Sequence, residues 1–393
     1  MSAATTTRLP ALRLLATAAL SLGVMAVLNH LLQTPAAAAL RWSAVAVLAV
    51  CVGFTLRTLL ATRGPEFWIP GVLFTLMWAW PIFHGYLTFD ELSRFQSLPP
   101  LSKIFVTPVN DHLHPLMWIV WRVQYGWLSG NYLAIAGWHF TVGLAGVLAL
   151  AAVVVRLLPE TSAPKRVFFT VFACLSTHSP VLWTWKGCGD APLLSFLAFA
   201  LWLLALLQSD RRSGFVYYAL CTALYGVMVG SSSLITLGFV YALPLLLLPQ
   251  YRTPRFAIVV GLGFLATAGY WLLRSSVVDR AFKPIHWPNL PGALAGAWHQ
   301  YAYASIPIGV AILGLLIMGV RTLPRQPRPV LALAGIATAI FSVGVLQLFG
   351  AREMTLRNSF GLRNYHLFFP WVGCALLLVA VGYGWLAAAS TRV

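Results

Sequence analysis

The sequence predicts an all-α membrane protein with about twelve transmembrane helices, and three observations support that fold class. Hydrophobic residues make up 60% of the 393 positions, charged residues make up only 9%, and the mean hydropathy is +0.81. Soluble domains carry roughly 25% charged residues. The composition therefore excludes a soluble globular enzyme, a disordered chain and a coiled coil.

Twelve apolar runs are long enough, or nearly so, to cross the hydrocarbon core as helices. They cover residues 14–33, 42–61, 67–86, 131–156, 167–185, 191–208, 215–230, 234–249, 256–274, 297–320, 329–349 and 367–388. The first follows Arg8 and Arg13 like a signal peptide, but a second run comes at once, so we expect it to be retained. Residues 1–66 thus form two N-terminal helices before a main transmembrane domain of residues 67–393.

The distribution of basic residues sets the expected orientation. With a cytoplasmic N-terminus, 15 of the 26 Lys and Arg residues fall on the cytoplasmic side, mostly in short loops. Both termini are then cytoplasmic, and we expect a bacterial inner membrane protein. The basic residues are dispersed between apolar runs, which favours contact with lipid phosphates over binding of nucleic acid.

The longest extracytoplasmic loop is expected at residues 87–130. Residues 116–128 have helical spacing, and we predict an amphipathic helix in the outer interface with its tryptophans at headgroup depth. The expected apolar positions are Leu116, Ile119, Val120, Val123 and Trp127, whereas Arg122 and Gln124 fall elsewhere on the helix.

Two acids, Asp90 and Glu91, follow the run at 67–86. Ionisable groups at a membrane boundary are costly unless they are solvated or functional. One interpretation is an ordinary pair of interfacial acids. The other is a general base with a neighbouring carboxylate, in a cavity open to the external side.

A second polar group lies further along the loop, at Asp111, His112 and His114. Asp111 and His112 could hold a divalent cation, or could handle phosphate and protons. The alternative is a polar turn before the amphipathic helix, with Pro115 as its first residue.

Two further segments contain candidate substrate-binding residues on the external side. Residues 185–192 are predicted to form a turn in which Lys186 could neutralise a phosphate and Asp190 adds a carboxylate, or else a simple connector. Guanidinium groups near the last apolar run could bind a phosphate or diphosphate. The alternative is contact with lipid headgroups without specificity. The residues of this second segment are Arg352, Arg357, Arg363, Tyr365 and His366.

These motifs together resemble the GT-C superfamily of polytopic glycosyltransferases, near the protein O-mannosyltransferase and aminoarabinose-transferase types. The similarity is carried by YLTFDE at 86–91, by TPVNDHLHPL at 107–116 in a long first external loop, and by RNYHLFFP at 363–370. The resemblance implies transfer of a sugar from a polyprenyl-phosphate donor to a lipid, glycan or protein acceptor on the extracytoplasmic face.

The resemblance also implies roles for residues. Asp90 would be the catalytic base, with Glu91 as its neighbour. We also expect Asp111 to assist the base. The sequence indicates no cofactor other than the divalent cation that Asp111 and His112 could hold. Two other functions remain open from the sequence: a non-catalytic membrane scaffold subunit with membrane protein partners, and a transporter of a lipid-linked anion.

Overall fold

The computed structural model describes residues 64–85, 98–108, 113–127, 131–158, 162–175, 186–207, 252–278 and 368–390, with scattered positions between 314 and 337. Within these residues all regular secondary structure is helical. The helices are α1 (Pro65–Phe83), α2 (Pro115–Trp121), α3 (Tyr132–Leu157), α4 (Ala163–Leu175), α5 (Lys186–Leu207), α6 (Pro254–Val277) and α7 (Phe368–Ser390). A short 3₁₀ helix spans Leu101–Lys103, and a π-helix (Arg122–Trp127) continues α2.

Three of the described helices, α1, α3 and α6, are long and apolar enough to cross a membrane. Shorter apolar stretches lie within α5 and α7. These helices are compatible with an integral membrane protein and confirm the all-α class for the described residues. The other expected spans are 14–33, 42–61, 215–230 and 234–249, which lie outside the described residues, and 297–320 and 329–349, which are described only at scattered helical positions.

Helix α3 is at the centre of the described bundle and packs against α1, α4 and α5, while α7 packs against α4. At its contact with α5, a Cβ atom added at Gly146 would lie 2.7 Å from the Phe196 ring. The lack of a side chain at Gly146 therefore lets the ring pack directly on the α3 backbone. On the other side of α3, the rings of Phe74 and Phe140 pack 5.6 Å apart.

Two contacts define the ends of this bundle. The Tyr132 hydroxyl at the start of α3 donates a hydrogen bond to the Ile82 carbonyl at the end of α1, at 2.7 Å. At the opposite end, Glu66 of α1 pairs with Arg166 of α4 at 3.7 Å. We call the end with the Tyr132 contact the Asp190 end, because α5, which contains Asp190 near its start, begins beside the start of α3 there. The end with the Glu66 contact is the Glu66 end. In the predicted orientation the Asp190 end is extracytoplasmic.

Residues 98–108 and 113–127, which we call the cap, pack on the Asp190 end. Ile104 and the α2 residues Met117, Trp118 and Trp121 are buried in one cluster with Ile135 of α3. Partly buried Ala191 and Leu194 of α5 pack against the same cluster. The cap therefore lies against the first turns of α3 and α5.

The predicted helix at 116–128 is present, since residues 115–127 are helical and Pro115 is the first helical residue. Of the predicted apolar positions, Val120 is buried and Ile119 is exposed, and Trp118, Trp121 and Gln124 are buried as well. The expectation that the tryptophans of this helix meet lipid headgroups is thus wrong for Trp118 and Trp121, because both pack inside the protein.

Candidate functional site

Three polar side chains are buried together at the Asp190 end: Gln124, His139 and Asp190. The Gln124 amide nitrogen donates to Asp190 Oδ2 at 2.9 Å. Nδ1 of His139 lies 3.2 Å from Asp190 Oδ1. Each carboxylate oxygen therefore has its own partner, and we call these residues the Asp190 cluster.

Each member of the cluster comes from a different helix. His139 lies two turns into α3, and Asp190 lies in the first turns of α5. Gln124 lies in the π-helix that follows α2. Buried positions 117, 118, 121, 124 and 125 recur at a spacing of three to four residues, so Gln124 continues the apolar face that packs on the bundle. Packing of that face brings the amide to the carboxylate.

The turn predicted at 185–192 is wrong from Lys186 onward, because α5 begins there and includes Pro192. Glycine and proline are more frequent in transmembrane helices than in soluble ones. In an apolar environment a helix is also favoured over a turn, because a helix pairs backbone N–H and C=O groups that a turn would leave exposed. Asp190 consequently faces the bundle instead of an external turn.

The chemistry of the cluster follows from its donors and acceptors. An amide NH₂ can only donate, so the Gln124 contact requires an acceptor at Asp190 Oδ2. An ionised Asp190 then requires a proton on His139 Nδ1, which leaves Nε2 of a neutral ring as an acceptor. The carboxylate therefore fixes the tautomer and the orientation of the imidazole ring.

Sequence reasoning missed His139 and Gln124. One signal for His139 was available. An ionisable side chain inside an apolar helix has a high free-energy cost and usually pairs with another polar group. Gln124 gave a weaker signal. It lies seven residues after Met117, on the same helical face.

Arg274 is a further buried cation that the sequence analysis did not single out. It lies near the end of α6, and its guanidinium carbon is 4.9 Å from the centre of the Trp271 ring. One turn earlier, the Tyr270 hydroxyl donates to the Leu113 carbonyl at 3.0 Å. This bond joins the end of α6 to the residue that precedes His114, so Arg274 belongs to the Asp190 end.

Of the predicted substrate-binding residues, three lie in the described segments. Asp190 is buried in the cluster described above, and Lys186 is the first residue of α5, with its side chain outside the described part. His114 immediately precedes α2 and is partly buried. Its carbonyl accepts a hydrogen bond from the Trp118 amide at 3.2 Å.

The remaining predicted site residues lie outside the described residues. They are Asp90, Glu91, Asp111, His112, Arg352, Arg357, Arg363, Tyr365 and His366. Across the segments that are described, no group of three or more His, Cys, Asp or Glu side chains could hold a metal ion. The catalytic roles of the acids and the cation site at Asp111 and His112 stay predictions.

No protein-family model, curated protein or solved structure matches this chain. The resemblance to the GT-C superfamily therefore stays a prediction from the motifs.

Proposed function

We propose that this chain is an integral membrane transferase with about twelve spans that moves a sugar from a polyprenyl-phosphate donor to an acceptor at the extracytoplasmic face. One observation supports this function best. The described parts of the connection between α1 and α3 fold onto the same end of the bundle as Asp190 and Arg274. That connection is the segment in which the predicted catalytic acids lie.

In the proposed reaction, an acceptor hydroxyl or amine attacks the anomeric carbon of the sugar. The bond between that carbon and the phosphate oxygen breaks, and the polyprenyl phosphate leaves with the electron pair. Asp90 takes the proton from the acceptor, with Glu91 and Asp111 beside it. The leaving phosphate gains negative charge, which nearby guanidinium groups stabilise.

We assign the phosphate contacts to Arg274 together with the predicted cations Lys186, Arg352, Arg357 and Arg363. Arg274 supports this assignment because it is buried near the segment that precedes α2, where a cation interacts more strongly with an anion than in bulk water. Asp190 is buried against His139 and Gln124, so in this proposal it acts as a positioning residue that holds the cap on the bundle.

Binding of the lipid phosphate tests the donor site without knowledge of the sugar. The full chain in lipid nanodiscs is titrated with undecaprenyl phosphate and monitored by native mass spectrometry. Arg274→Gln should weaken binding by about tenfold or more, the equivalent of one charge-assisted hydrogen bond. Arg166→Gln, at the Glu66 end, is the matched control and should bind like the wild type. Equal affinity in all three proteins would contradict the donor site.

Transfer itself is tested with a polyprenyl-phosphate sugar fraction extracted from radiolabelled bacterial membranes. Asp90→Asn should lower transfer by about 10²–10⁴-fold, because the amide cannot accept the acceptor proton. Glu66→Gln, at the opposite end, should leave the rate unchanged. A scaffold subunit would transfer no sugar in either form, and an Asp90→Asn variant with the wild-type rate would exclude Asp90 as the base.

A further inference from the structure

The cap contains a short turn with exposed apolar side chains around one cation. Leu101 is 60% exposed, Phe105 is 56% exposed and Val106 is 49% exposed. Lys103, between them in sequence, is also exposed. We call residues 101–106 the apolar turn.

Contacts on both sides hold this turn in place. Before it, the Arg122 guanidinium donates to the Pro99 carbonyl. After it, the Trp118 indole nitrogen donates to the Thr107 carbonyl at 2.8 Å. Within it, Ile104 is buried against the α2 tryptophans. The exposed side chains are therefore presented by an anchored segment.

Backbone groups of the turn are hydrogen-bonded within it and to the residues that flank it. The Lys103 amide donates to the Pro100 carbonyl at 2.8 Å, and the Val106 amide donates to the Lys103 carbonyl at 3.0 Å. The Lys103 carbonyl also accepts from the Thr107 hydroxyl at 2.8 Å. An unpaired backbone group is costly in lipid, so this pairing suits a segment that leaves water.

The position of the cap fits the membrane interface. It packs on Ile135 and Trp138, and Trp138 lies six residues into α3, which corresponds to about 9 Å along the helix axis. If the predicted span at 131–156 starts at the outer membrane surface, this distance along the helix is comparable to the headgroup layer and the outermost part of the acyl chains. Large apolar side chains next to a lysine are the combination that inserts there, with the ammonium group at the lipid phosphates.

We propose that the apolar turn inserts Leu101, Phe105 and Val106 into the outer leaflet and that Lys103 contacts lipid phosphate. The interfacial contact that the sequence assigned to the α2 tryptophans thus belongs to this turn. The partner is the lipid surface itself. The proposal requires a membrane but does not depend on sugar transfer.

Spin labels report this contact directly. Phe105→Cys and, independently, Leu101→Cys are made in a full chain whose native cysteines are replaced by serine or alanine. Each is labelled with a nitroxide and reconstituted in vesicles of phosphatidylethanolamine and phosphatidylglycerol. Collision rates are measured with oxygen, which concentrates in lipid, and with a water-soluble nickel chelate.

Two controls bracket the result. Leu76→Cys, on the exposed face of α1, represents lipid, and Ala163→Cys, exposed at the start of α4, represents water. Labels at Phe105 and Leu101 should show an oxygen-to-nickel ratio several-fold above that of Ala163 and below that of Leu76. A ratio like that of Ala163 would overturn the proposal in favour of water. Protection from both reagents would overturn it in favour of a covering protein segment or partner.

The role of Lys103 is tested with Lys103→Glu in the Phe105→Cys background. In vesicles with phosphatidylglycerol, the oxygen-to-nickel ratio at Phe105 should fall, because the glutamate repels the anionic lipid. In vesicles of phosphatidylcholine alone, the fall should be smaller. An unchanged ratio in both lipids would remove the phosphate contact from the proposal. None of these readouts uses transferase activity, so they stand apart from the test of Asp90.

Discussion

The Gln124 amide donates a hydrogen bond to the Asp190 carboxylate at 2.9 Å, between residues 66 positions apart in the chain. This bond joins the cap to the first turns of α5. Because His139 of α3 contacts the other carboxylate oxygen, Asp190 connects three elements at one point. The cap is thereby fixed by a polar contact as well as by its apolar face.

We predict that Gln124→Met and Asp190→Ala each lower the thermal unfolding temperature in detergent and that their effects are not additive. Loss of one partner leaves the other buried without its hydrogen bond, which costs about 1–3 kcal/mol. A double-mutant cycle should give a coupling energy of about 0.5–3 kcal/mol. Glu66→Gln, in a partly exposed pair, serves as the control and should change stability by less than about 1 kcal/mol. Strictly additive effects would mean that the two side chains act independently.

We predict that Gly146→Ala destabilises the bundle. Its Cβ atom would lie 2.7 Å from the Phe196 ring, so α3 and α5 must separate or the ring must move. Overpacking of this kind costs about 1–3 kcal/mol. The matched control is Gly137→Ala in the same helix, where the new Cβ would meet no atom within 4 Å beyond its chain neighbours and the backbone of its own helix. Gly137→Ala should be neutral or stabilising by up to about 1 kcal/mol through helix propensity. Unfolding temperatures of the two variants, compared in one detergent, decide the question.

Trp118→Phe should loosen the segment at 98–108. The change removes the indole N–H that donates to the Thr107 carbonyl, a bond whose net contribution is about 0.5–1.5 kcal/mol. Hydrogen–deuterium exchange in nanodiscs should show faster exchange in that segment. Trp68→Phe, on the exposed face of α1, is the control and should leave exchange in the segment unchanged. Unaltered exchange in Trp118→Phe would show that the packing of Ile104 and the contact of Arg122 with Pro99 hold the turn without the indole bond.

We expect the loop at 87–130 to face the outside of the cell. Ser97→Cys should react with a membrane-impermeant maleimide in intact cells, in a background without native cysteines. Ser162→Cys, exposed just before α4 at the Glu66 end, should react only after permeabilisation. The physical reason is the concentration of basic residues in short loops on the Glu66 side. The reverse labelling pattern would invert the topology.

The sequence by itself determined the all-α class and the approximate bounds of the described helices. A run of some twenty apolar residues has few alternatives to a helix when its surroundings are apolar, because every backbone group is then paired within the segment. For this reason 131–156 was predicted within one residue of α3 at each end. Pro115 is the first residue of α2, as one of the two interpretations of the segment at 111–115 predicted, since its fixed φ and missing N–H suit that site.

Only the tertiary structure decided which side chains meet. Hydropathy assigns a helix to the membrane but does not choose its neighbours, so Gln124 was placed away from the apolar face and Asp190 in a turn. The packing of the cap on α3 and α5 instead buried both residues and paired them with each other and with His139. A buried polar group needs a partner, and in this chain that partner lies 66 residues away for Gln124 and 51 residues away for His139. Local sequence patterns carry no record of such distant pairs, which arise only when the helices pack.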